Sequence, residues 1–260
     1  MLLAIDVGNT NTAFAVYVGE KLKGDWRAST LPDRTADEYA SLLLPLLAER
    51  AIELSGVNAC AISSVVPATI RHLVRFARKH LNCKTPFMLS AEMDLGLEIN
   101  YRPKSDVGAD RIANAVAAHT KYASKVIVVD FGTATTVDAI SADGEYLGGA
   151  IAPGIEISLE ALFARAAKLR GVELASPERA IGDTTTGSLQ SGIIFGFAGQ
   201  VDALVTRFQD EMGGGAKVVA TGGLAEVISA HSSTIDCCDD TLTLDGIRMI
   251  YERSARSAEL

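Results

Sequence analysis

Residues 1–17 read MLLAIDVGNTNTAFAVY, and their pattern decides the fold. Leu2 to Ile5 form a short apolar run typical of a buried strand, and Ala13 to Tyr17 form a second. The polar turn between them runs Asp6-Val7-Gly8-Asn9-Thr10-Asn11-Thr12. Gly8 and the two Asn residues tolerate positive φ, so successive backbone N–H groups can curl into an anion-binding nest. The hydroxyls of Thr10 and Thr12 add neutral donors. Asp6 would repel a phosphate unless a cation stood between them, so the turn points to a metal–nucleotide complex.

The pattern occurs twice. VIVVDFGTATTVDAI at 126–140 repeats the apolar strand, the Asp-x-Gly, the Thr-rich turn and the second strand. Matched in sequence, Asp6 corresponds to Asp130, Gly8 to Gly132 and Thr12 to Thr136, always 124 residues apart. A repeat of nearly half the chain predicts two similar halves with a cleft between them, divided near residue 115 into 1–115 and 116–260.

Composition excludes several classes. A net charge of −8 without a Lys/Arg stripe argues against a nucleic-acid partner. No apolar segment approaches the roughly 20 residues of a membrane span, and the start of the chain lacks a basic n-region. The four Cys (Cys60, Cys83, Cys237 and Cys238) have no metal-ligand spacing, and scattered thiols without an export signal predict a reduced, cytoplasmic setting. The four His residues form neither a triad nor a metal set.

Between the repeats, Leu22–Ser29 reads as a third strand. Thr35 reads as an N-cap with Glu38 at the capping-box position of a helix in which Pro45 predicts a kink or break. Val57–Ser64 and Pro86–Leu89 read as strands, with a helix from Pro67 to about Leu81 whose basic residues form a solvated face. Asp110 follows Gly108-Ala109, opens a helix and precedes Arg111. Asp there is a favoured capping residue. Beside a metal–phosphate site it can instead accept a proton from a hydroxyl attacking the γ-phosphorus, while Arg111 would hold a substrate carboxylate bidentately or make a surface ion pair. Later, Asp143-Gly144 predicts a two-residue hairpin, and helices are expected at about 156–168, 185–212, 223–230 and 245–257. Lys217–Ala220 is a strand, and Gly222-Gly223 after it would let backbone approach a flat adenine or simply turn the chain.

Taken together, DVGNTNT at 6–12, SSVVP at 63–67, GADR at 108–111, DFGTATT at 130–136, GGAIAPGI at 148–155, IGDTTTGSLQSGIIFG at 181–196, TGG at 221–223 and LDGIRMIYE at 244–252 resemble type III pantothenate kinases. The resemblance implies an α/β fold, a duplicated ribonuclease-H-like (actin-like ATPase) architecture that works as a homodimer and phosphorylates pantothenate with ATP. By the same resemblance Asp110 is the catalytic proton acceptor. Asp6, Val7, Gly8, Asn9, Thr10, Asn11, Thr12 and Ala13 form the first ATP loop, and Gly132 and Thr133 the second. Tyr101, Gly108, Ala109, Asp110, Arg111 and Thr185 match substrate-binding positions, Thr185 reaching in from the neighbouring subunit. Magnesium would accompany ATP near Asp6, through water, and Asp130 would hold a monovalent cation, K+ or NH4+. The segment departs from the family at Thr184, where Asn is common, and at Gly187. The competing readings are a non-catalytic regulator on the same fold and a kinase for another hydroxy acid or sugar. The first is opposed by the presence of all four of Asp6, Asp110, Arg111 and Asp130, the second by GADR and by the lack of a large second domain.

Overall fold

The computed structural model describes residues 1–165 and 173–258. The chain forms two compact units, Met1–Ala117 together with the segment from Leu242 on, and Ala118–Thr241.

In the first unit β1 (Leu2–Val7), β2 (Asn11–Val18) and β3 (Lys21–Ser29) form an antiparallel meander. Helix α1 (Ala36–Ala48), strand β4 (Ala59–Ser64), helix α2 (Pro67–His80) and a short β5 (Phe87–Met88) follow, giving the order β3-β2-β1-β4-β5 with β4 parallel to β1. A two-residue strand, β6 (Glu98–Ile99), and helix α3 (Ala109–Tyr122) come next. The period-2 alternation sends Leu3, Ile5, Val7, Phe14 and Val16 to one face, where they join Tyr39, Leu43, Leu47, Leu73 and Phe76 in a core of fully buried side chains. Asp6 necessarily points to the opposite face. Thr35 makes the expected capping box with Glu38. Pro45 does not break α1: it falls in the last turn, and the helix runs on through Ala48. A proline there removes one hydrogen bond close to where the ladder ends anyway.

The second unit repeats this plan with β7 (Val126–Phe131), β8 (Ala134–Ile140), β9 (Glu145–Pro153), α4 (Ile155–Arg165), α5 (Thr185–Glu211), β10 (Lys217–Thr221), α6 (Ala225–Ser229) and β11 (Cys237–Cys238). Its strands run β9-β8-β7-β10-β11, the order of the first unit, with the same parallel and antiparallel senses. Both units are thus ribonuclease-H-like sheets. The part of the α4 expectation beyond Arg165 lies outside the described residues. The hairpin after β8 is not the predicted two-residue turn. Ser141 to Gly144 make it, with the Gly144 N–H donating to Ser141 O at 3.2 Å and Gly144 at φ +80°. Short β11 carried no sequence signal.

The last helix, α7 (Leu242–Ala258), returns to the first unit and packs on β1, β2 and β4. Tyr17 Oη donates to Asp245 at 2.8 Å and Arg248 lies over the Tyr17 ring, fixing the helix to the sheet. Among the described residues no helix is long and apolar enough to cross a membrane.

One carboxylate anchors the second unit. Asp202, on α5, accepts from the hydroxyls of Ser232, Ser233 and Thr234 and from the Ser233 N–H at 2.5 to 3.1 Å. Desolvation alone would raise its pKa, but these donors overcome it and hold the carboxyl at about 2, against 3.8. A depressed folded-state pKa contributes stability above pH 3.8, lost as pH falls toward 2. The thermal midpoint of Asp202→Asn is therefore expected to lie below the parent's at neutral pH, with the gap narrowing through this acid window.

Candidate active site

The two acidic turns are built alike. In β1 and β7 four buried residues precede a half-buried Asp and a buried apolar residue, Val7 or Phe131. Asp6 and Asp130 thus occupy one position at the end of each central strand, where ligands of open α/β sheets gather. Beyond the turns the sequence match slips by one. Thr12 pairs with Val7, while Thr135 pairs with Phe131. The structural partner of Thr12 is therefore Thr135, not Thr136, because the second turn is one residue shorter. The closing bonds agree: Gly8 N–H donates to Asn11 O at 3.0 Å and Gly132 N–H to Ala134 O at 3.1 Å. Thr12 and Thr135 are both buried.

Neighbouring strands hold each carboxylate. Ser63, fully buried on β4 and in register with Asp6, donates its hydroxyl to Asp6 Oδ1 at 2.9 Å. In the second unit Gly222, just after β10, sits at φ +96°, and a Cβ there would lie 2.7 Å from Asp130 Oδ1 and 2.6 Å from Phe131 O. TGG is thereby explained locally: only glycine takes this φ and lets the backbone come so close to Asp130.

The GADR segment meets the first turn through the chain following β4. Val65 N–H donates to Val7 O at 3.1 Å, and Val65 Cγ1 lies 3.7 Å from where a Cβ on Gly108 would stand. That same Cβ would collide with the Asp110 carboxylate, so Gly108 is required for the carboxylate to occupy its place. Helix α3 begins at Ala109, which puts Asp110 inside the first turn rather than at the cap. Its Oδ1 accepts from the Arg111 N–H at 2.8 Å. Arg111 is buried, at 6% exposure, against the alternative of a surface ion pair. A buried guanidinium needs anionic or carbonyl partners. A cavity of about 350 Å³ opens beside this segment, lined among others by Ser64, Leu89, Val107, Gly108, Ala109 and Ile112.

Thr185 lies elsewhere, in the second unit. Thr184 caps α5, its Oγ1 accepting from the Gly187 N–H at 3.0 Å, so Thr185 is the first helical residue. With Gly182, Asp183, Ser188 and Leu189 the two threonines line a second hollow of about 460 Å³. Tyr101, half-buried, precedes the turn that leads to α3.

The sequence profile of the type III pantothenate kinases matches residues 2–207. The chain belongs to the type III pantothenate kinase family. A type III pantothenate kinase from Moorella thermoacetica is 49% identical over 98% of this chain and 100% of its own. Among solved structures, a Campylobacter jejuni protein assigned to the Baf family of transcriptional activators superposes with TM-score 0.61 at 20% identity, over 98% of this chain and 99% of that one. An inorganic polyphosphate/ATP-glucomannokinase from an Arthrobacter strain does so with TM-score 0.51 at 13% identity, over 98% of each chain. At such identities the two structures speak for the fold alone. Ser63 was not among the expected site residues, and Gly222 was expected to meet an adenine or turn the chain rather than to stand beside Asp130, because each lies next to another residue's carboxylate. Only the registers Asp6–Ser63 and Asp130–Thr221 reveal them.

Proposed function

We propose that this chain transfers the γ-phosphoryl group of ATP to the primary hydroxyl of pantothenate, at the start of coenzyme A synthesis, with the Asp110 carboxylate accepting the hydroxyl proton. The kinase activity and its substrates, ATP and pantothenate, follow from membership of the family. The observation that carries the assignment of the base is Gly108: its missing side chain leaves room for the Asp110 carboxylate, whose Oδ1 is pinned by the Arg111 N–H.

Each residue then has a task. The turn from Asp6 to Ala13, and Gly132 with Thr133, hold the phosphates through the N–H groups and hydroxyls not used within the turns, where the Gly8 and Gly132 N–H groups and the Thr12 hydroxyl are engaged. Arg111, buried, takes the carboxylate of pantothenate, and Tyr101, Gly108 and Ala109 border the acceptor. Asp110 orients the hydroxyl and removes its proton as the oxygen bonds to phosphorus. The donor set fits a divalent ion that arrives with the nucleotide. Asp6 presents one carboxylate, Ser63 takes up part of one of its oxygens, and the described residues contain no cluster of three His, Cys, Asp or Glu that would form a protein cage. Magnesium bound with ATP neutralises charge on the phosphates. Asp130, at the position equivalent to Asp6 in the second unit, is proposed to hold K+ or NH4+.

Exposed apolar side chains on the second unit, among them Ile151, Ile157, Leu162 and Ile181, support a homodimer in which Thr185 serves the partner's substrate. The test is ADP release with pantothenate against a panel of small alcohols, in K+, NH4+ or Na+. Turnover is expected with pantothenate alone, and higher in K+ or NH4+ than in Na+. Equal rates in Na+ would remove the cation role of Asp130. ADP release with another alcohol, and none with pantothenate, would remove the substrate.

A further inference from the structure

Each acidic turn is braced from the residue just after the third strand of its unit, and the two units do this by different means. In the first unit Ser29, the last residue of β3, pairs with Asn11, and Thr30 follows it. Thr30 N–H donates to Thr10 O at 2.8 Å, and Thr30 Oγ1 donates to Gly8 O at 2.8 Å. Thr12 Oγ1 lies 2.8 Å from Thr30 Oγ1. Thr30 has one hydroxyl proton, and it goes to Gly8 O, so Thr12 is the donor of that bond. The turn is thereby tied at three of its residues, and Gly8 and Thr10 have their carbonyls drawn toward Thr30.

In the second unit Pro153, the last residue of β9, pairs with Ala134, and Gly154 stands where Thr30 stands. No hydroxyl is available there, and among the described residues the Thr135 hydroxyl is buried without a hydrogen-bond partner. Backbone contact replaces it. A Cβ on Gly154 would collide with Thr133 O and come within 2.7 Å of Gly132 O.

We infer that Thr30 and Gly154 are positioning residues for the two phosphate-binding turns, acting on ATP through Gly8 and Thr10 in one case and through Gly132 and Thr133 in the other. The inference rests on the reading that these turns hold ATP. In a peptide unit the N–H points opposite to the carbonyl, so the Gly8 and Thr10 carbonyls drawn to the brace turn the N–H groups of Asn9 and Asn11 away from it. A loosened turn must be ordered when ATP binds, and that cost appears in affinity rather than in the chemical step.

The test is calorimetric titration of the nucleotide-free protein with magnesium-ATP, for the parent, Thr30→Val, Thr30→Ser, Gly154→Ala and Asp6→Asn, alongside steady-state kinetics. Thr30→Val keeps the shape and deletes the hydroxyl. It removes both hydrogen bonds of the hydroxyl, to Gly8 O and from Thr12 Oγ1, and the Kd for ATP is expected to rise about tenfold as part of that loss reaches the nucleotide. Thr30→Ser is expected to recover the parental value, and Gly154→Ala to weaken ATP at least as much as Thr30→Val. The KM for pantothenate is expected to stay at the parental value in all three. Parental ATP affinity in whichever of Thr30→Val and Gly154→Ala folds, as judged by circular dichroism, overturns the inference. Parental affinity in Asp6→Asn as well removes the underlying placement of ATP, so the two failures are told apart.

Discussion

Asp110→Asn is expected to lower kcat by about 10²- to 10⁴-fold, the range of a lost general base, while leaving the protein folded and able to bind ATP. The amide keeps the size of the side chain, and its carbonyl oxygen can still accept from the Arg111 N–H at the place where Oδ1 does. What it cannot do is take a proton from the attacking hydroxyl. The effect should therefore fall on kcat, with ATP affinity at the parental value. Gly108→Ala would reach the same carboxylate by another route, because the added methyl occupies the space Asp110 uses. A rate near the parent's in Asp110→Asn would mean that another group accepts the proton.

Gly246→Ala is expected to be the most damaging single methyl for stability. Gly246 lies on α7 where that helix crosses α3, and a Cβ there would overlap the carbonyl group of Ala113. The obstacle is backbone in a helix whose Ala113 and Ala117 are fully buried, so no side chain can swing aside. The helices must separate, at a cost of about 3 kcal/mol, which for a chain of this size lowers the thermal midpoint by roughly 10 °C. Differential scanning calorimetry reads this directly. Because α7 packs on β1, the strand that carries Asp6, partial loss of activity should accompany the lower midpoint. A midpoint within a degree or two of the parent's would show that the crossing has slack the structure does not display.

Much of this architecture is written in the local sequence. The apolar run before each acid turn, the Thr35–Glu38 capping box and the apolar stripe of α1 are patterns in which neighbouring residues determine the outcome, and the fold followed them. The halves could be matched because buried-strand composition survives in both copies. The residues that support the site were far less visible. Ser63 is one Ser among several until the register places it beside Asp6, and Thr30 is an unremarkable residue at a strand end until its hydroxyl meets Gly8. The one-residue slip that pairs Thr12 with Thr135 could not be seen either, since a constant spacing of 124 fits the residues equally well. Loop length is set by closure geometry, which leaves little mark on residue type. Gly108, Gly154 and Gly222 were legible as glycines, but the close approaches they permit are defined by side chains and carbonyls elsewhere in their units.

The most direct test of the whole account is a crystal structure of the protein with pantothenate and a non-hydrolysable ATP analogue. A carboxylate oxygen of Asp110 is expected within about 3 Å of the primary hydroxyl, with that hydroxyl facing the γ-phosphorus. A hydroxyl bound out of reach of Asp110, with a different acid or base against it, would contradict it.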